Sequence, residues 1–138
     1  MPYSTYLDTQ LNKMVFGGTA YTVPTTLYVG LSTTTPSANG TGVTEPSGGG
    51  YARVAVTNNT TNWAPAGTQP STGQQQINNT AITFPSATAS WGTVTYVVIY
   101  DAATGGNLLA FGALTTSQTI NSGDTASFAA GALTITLQ

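Results

Sequence analysis

Residues 93–114 read TVTYVVIYDAATGGNLLAFGAL, and this stretch decides the fold. Its first eight residues are β-branched or aromatic throughout, the composition of a strand with both faces covered in part. DAATGG at 101–106 supplies the small, polar and glycine residues that turn a chain. NLLAFGAL at 107–114 then returns as the antiparallel partner of a hairpin. Downstream, short strands are expected around 117–121 and 125–128, joined through Ser122, Gly123 and Asp124. A last strand over 132–137 places Leu133, Ile135 and Leu137 on one face.

The same period of two runs upstream. TAITF at 80–84 puts Ile82 and Phe84 on one side, and Pro85 closes it. YARVAVT at 51–57 alternates, with Ala52, Val54 and Val56 inward and Arg53 outward. TLYVGLST at 26–33 aligns Leu27, Val29 and Leu31, with Pro24 and Pro36 flanking it where a missing amide is harmless. Only STYLDTQLNKMVF at 4–16 reads as helix. Ser4 or Thr5 caps it, Asp8 sits at the positive end of its dipole, and Leu7, Leu11, Met14 and Val15 form one apolar stripe. Gly17 and Gly18 stop it.

These elements predict an all-β fold: an antiparallel β-sandwich of about eight strands, jelly-roll-like, with a short N-terminal helix. The expected organisation is an N-terminal helical arm over 1–18 and a single sandwich domain over 19–138. Two long loops, 34–50 and 58–79, interrupt the pattern. Loops of more than about 12–15 residues are usually functional or disordered. Trp63 stands in the second, where a large aromatic needs a surface: either its own domain or a partner.

Composition narrows the function. Of 138 residues only six are charged: Lys13 and Arg53 against Asp8, Glu45, Asp101 and Asp124, a formal net of −2. Histidine and cysteine are absent, while threonine occurs 28 times and glycine 16. A Ser-His-Asp triad, a cysteine nucleophile, a common zinc site and a disulfide scaffold are therefore excluded. Two basic residues cannot track a phosphate backbone. No apolar run reaches the 18 or so residues that span a bilayer, and the N-terminus lacks the basic-then-apolar order of an export signal.

The four acids are scattered, without the paired spacing of a glycosidase, and Asp101 and Asp124 stand in turn contexts. Asn39, Asn58, Asn59 and Asn78 each satisfy Asn-x-Ser/Thr, a weak motif in so threonine-rich a chain, and read as turn residues. The expectation is a non-enzymatic protein without cofactor or metal, and without nucleic-acid, membrane or small-molecule partners. With 4% charge it has little electrostatic protection against association, and is expected either to pack against something or to rely on Thr, Ser and Asn hydroxyls and amides for solvation.

Four segments carry a resemblance: GGTAYTVPTTLYVGL at 17–31, GGGYARVAVT at 48–57, FPSATASWGTVTYVVIYDAATGGNLLAFGAL at 84–114 and INSGDTASFAAGALTITL at 120–137. Together they resemble a family of small tailed-bacteriophage virion proteins, labelled as tail-fibre or head-decoration proteins. The resemblance implies a virion structural protein. The expected role is a capsid decoration (cement) protein on the outer shell, a homotrimer bound to the major capsid protein that stabilises it by binding. Tyr3, Tyr6, Leu7, Leu11 and Trp63 are the expected partner contacts. The alternative is a tail-fibre or baseplate domain that binds a host-surface glycan through Trp63 and the polar loops.

Overall fold

The computed structural model describes residues 1–65 and 75–136. Residues 66–74 of the second long loop and Leu137 of the last expected strand lie outside the described residues. In chain order the elements are α1 (Thr5–Gly17), β1 (Thr26–Ser32), β2 (Val54–Thr57), β3 (Trp63–Pro65), β4 (Gln75–Asn78), β5 (Ile82–Thr83), β6 (Gly92–Tyr100), β7 (Leu108–Ile120), β8 (Ser127–Phe128) and β9 (Thr134–Thr136).

The 93–114 hairpin forms the centre as expected. β6 pairs antiparallel with β7 on one side and with β1 on the other, and β2 completes a four-stranded sheet of order β2-β1-β6-β7. A three-stranded sheet, β3-β4-β9, and a β5-β8 ribbon lie over one face of it. Val29, Leu31 and Val56 meet Trp63, Ile82, Phe84 and Leu133 in the shared core. Tyr51, Phe84, Trp91 and Phe128 add an aromatic group, with Tyr51 edge-on to Trp91 at 5.2 Å between centroids. Such pairs prefer this geometry because ring edges are positive and ring faces negative.

An antiparallel sandwich is thus what the pairings show. A jelly roll alternates its strands between two four-stranded sheets. Here the consecutive pairs β1–β2 and β6–β7 each share a sheet, the first across the long 34–50 loop and the second across the short 101–107 turn.

Two expectations are corrected in this sheet. The strands expected at 107–114 and 117–121 are one strand, β7, with a register shift between its halves. Tyr96 faces Ala113 and Val94 faces Gln118, so Leu114–Ser117 bulge opposite Thr95 alone. The shift also explains why Val94 shares a face with Val97 and Ile99 despite the odd spacing. Ala52, expected inward, is exposed and precedes β2.

The outer face of the four-stranded sheet is covered as well. Val98, Tyr100 and Leu108 form a second cluster with Tyr28, Val43 and Phe111. Val43 belongs to the 34–50 loop, which is held against β1 by Thr33 N donating to Thr44 O at 2.9 Å and Thr44 N donating to Ser32 Oγ at 3.1 Å.

The N-terminal segment divides into two parts. Residues 1–4 are stitched to the sandwich. Met1 exchanges hydrogen bonds with Thr134 and Thr136 of β9, Tyr3 bridges to Ala110, and Ser4 N donates to Leu109 O. They therefore tie β7 of one sheet to β9 of the other. α1 itself has no buried residue. Ser4 is its N-cap, accepting from Leu7 N at 3.2 Å, and Gly18 closes it in the left-handed conformation.

Candidate functional site

The most organised polar feature is built on Arg53. Strand alternation turns Arg53 away from the main core, as the sequence implies, but not into solvent: its side chain is 6% exposed. The folded 34–50 loop brings Glu45 over it. Arg53 Nε donates to Glu45 Oε1 at 2.9 Å and NH2 to Oε2 at 2.8 Å, a fork-to-fork pair. NH1 donates to Ala102 O at 2.7 Å and Gly105 O at 2.8 Å, and the guanidinium lies 3.7 Å from the centroid of the Tyr100 ring.

Tyr51 completes the network. Its hydroxyl accepts from Leu31 N at 2.9 Å and donates to Glu45 Oε1 at 2.7 Å. Burial, followed by the hydrogen bond to Glu45, holds its pKa far above the ordinary tyrosine value. Gly30 makes room for this convergence. A Cβ there would stand 2.7 Å from Glu45 Oε1 and 2.8 Å from the Tyr51 hydroxyl.

Beside this hub, a cleft of about 290 Å³ opens between 38–40, 105–108 and Tyr6 of α1. Asn39 and Asn107 line it. Asn39 Oδ1 accepts from Thr41 N at 3.1 Å and from Thr41 Oγ1 at 2.7 Å. Asp101 fixes Asn107 in place, its Oδ1 accepting from Asn107 N at 2.7 Å and its Oδ2 from Asn107 Nδ2 at 2.9 Å. Gly106 has a φ of 75°, and a Cβ there would meet Asp101 Oδ1 at 2.5 Å, so this position requires glycine. Asp124 acts likewise in its own turn, accepting from Asn121 N at 2.8 Å.

A second, larger groove of about 840 Å³ runs along the seam between the C-terminal half of β7 and β8–β9. Leu31, Val97, Leu114 and Phe128 contribute apolar surface to it, and Met1 and Pro2 lie at its side.

The expected contact residues do not converge. Tyr3 is half-buried in the stitched segment, and Tyr6, Leu7 and Leu11 are half-buried on α1, which rests on β7. Trp63 is a correction. It lies on β3, 6% exposed and packed in the main core, so its ring is a structural staple and offers no platform to a partner. Asn78, read as a turn residue, is also buried. Its Nδ2 donates to Thr80 O and Ala129 O, and its Oδ1 accepts from Leu133 N at 2.8 Å.

The exposed apolar surface is elsewhere. Met14, Val15 and Phe16 at the end of α1 are 39%, 63% and 86% exposed, and Val23 is 58% exposed. Sequence reading included Met14 and Val15 in the stripe but missed Phe16, whose position one residue past Val15 is the available signal.

The sequence model of one family matches residues 2–136; the family is described as Gp80, podophage GP4 fiber I protein gp80. The match spans all four segments of the resemblance to small tailed-phage virion proteins except the final residue of the last, and bears that resemblance out. No curated protein matches the chain.

Proposed function

The chain belongs to the podophage GP4 fiber I protein gp80 family, a phage virion structural protein, and we propose that it is a non-catalytic fibre subunit anchored through α1. The observation that supports this reading is the helix itself. It buries no residue in its own domain, yet ends in Met14, Val15 and Phe16, all exposed. A monomer gains nothing from exposing those three side chains, whereas a neighbouring virion protein could bury them. The sandwich would then project outward, presenting a nearly uncharged, threonine-rich surface. Assembly as a homotrimer is part of the proposal.

Copy number in purified particles tests the reading. Quantitative mass spectrometry should give a small fraction of the major capsid protein's abundance, as for a fibre. A ratio near one to one would overturn the fibre role and assign the chain to the outer shell as a decoration protein bound to the major capsid protein.

A further inference from the structure

We propose that the cleft between 38–40 and 105–108 binds a neutral polyhydroxylated ligand, a saccharide, through Asn39 and Asn107. The inference rests on the cleft alone and holds whatever the chain's place in the particle.

Both asparagines are oriented before any ligand arrives. Asn39 Oδ1 is engaged by the backbone N–H and the hydroxyl of Thr41, which fixes the amide and leaves Nδ2 as a donor without a partner among the described residues. Asn107 is fixed the opposite way. Its Nδ2 donates to Asp101, leaving Oδ1 as an acceptor with no partner among the described residues. One rim thus supplies donors and the other an acceptor. Neighbouring hydroxyls on a sugar ring both accept and donate, and match such a pair. Tyr6 adds an aromatic side chain to the wall, and at about 290 Å³ the cleft is close to the lower limit of about 300 Å³ for small-molecule sites.

Charge selects the ligand class. The cation at the base of the cleft is already spent, because Arg53 is paired with Glu45 and two carbonyls. Asp101, which holds the wall residue Asn107, brings a carboxylate next to it. A phosphate or carboxylate ligand would meet no uncompensated positive charge there and would be repelled by Asp101, whereas a neutral polyol is not.

The test is a titration of the isotopically labelled full chain, observing the side-chain amide signals of Asn39 and Asn107 by NMR. The probes are maltose, cellobiose, lactose and N,N′-diacetylchitobiose, with inorganic phosphate as the anionic probe. At least one disaccharide should shift both signals along a saturable curve, and phosphate should not. The Asn39→Asp variant keeps Oδ1 for Thr41 and replaces the Nδ2 donor with an anionic acceptor oxygen, so it should weaken binding about fivefold or more with an unchanged fold. Asn107→Ala serves as a second variant, with the same expectation. Absence of any saturable shift, unchanged affinity in both variants, or phosphate competing for the same signals would overturn the proposal.

Discussion

At Gly30 the main chain lacks a side chain so that Glu45, Tyr51 and Arg53 can meet above it. Removing one member leaves the others without partners in a partly buried site. Arg53→Ala should lower unfolding stability by about 1–3 kcal/mol, since Glu45 and the carbonyls of Ala102 and Gly105 would lose a shared donor in a partly buried site. Combining Arg53→Met with Glu45→Gln should recover part of the loss, because no buried charge is then unpaired. Denaturant unfolding of the single and double variants checks this; a double variant no better than Arg53→Ala would contradict it. Tyr51 makes the same network sensitive to alkali. Its folded pKa is raised, so its contribution is fully present below the ordinary tyrosine value of 10.0 and is lost as pH climbs past it. Melting temperature should therefore fall above about pH 10, and more gently in Tyr51→Phe. A residual slope will persist from Tyr3, Tyr21 and Tyr100, whose pKa values burial also raises.

Elements differ in how far they can be read without the fold. The start and stop of α1 were legible because Ser4 and Gly18 act within one turn of the helix. The β6–β7 hairpin was legible for the same reason. What α1 packs against was not, since an apolar stripe says nothing about whether a surface faces it. Arg53 was read as outward from strand parity, correctly, but its burial depends on a loop eight residues earlier folding over the sheet. Trp63 looked like a loop residue because β3 is only three residues long and pairs with a strand beyond the intervening segment. The break between the strands expected at 114 and 117 did carry information: it marks the bulge in β7. The two parts of the N-terminal segment should separate by experiment. Replacing Met14, Val15 and Phe16 together with serine should leave stability within about 0.5 kcal/mol per site, as for exposed positions, while releasing the protein from particles. Deleting residues 1–4 should instead destabilise the sandwich by several kcal/mol, at roughly 0.5–1.5 kcal/mol for each hydrogen bond lost between β7 and β9. Equal melting temperatures for the deletion and the intact chain would mean that the stitch is dispensable.

At the scale of the whole molecule, charge and shape act in one direction. Six charges in 138 residues leave little long-range repulsion between copies. The seam between β7 and β8–β9 leaves apolar surface from Leu114 and Phe128 beside a groove of about 840 Å³. β7 is also an edge strand, but its four-residue bulge and its exposed Thr115–Thr119 edge discourage open-ended strand pairing, which would produce fibrils in place of a closed assembly. A closed ring buries the groove without leaving an edge to propagate, because each copy's surface meets the next copy's until the rotation closes. The homotrimer proposed above would sediment at about 42 kDa, three chains of 14.0 kDa. Thr116→Asp, which places a carboxylate in the groove, should shift the trimer to monomer and leave the melting of the isolated chain nearly unchanged, because Thr116 is exposed in the monomer. A wild-type chain that sediments at 14.0 kDa across the accessible concentration range would remove self-association from the proposed assembly and leave α1 as its single anchor.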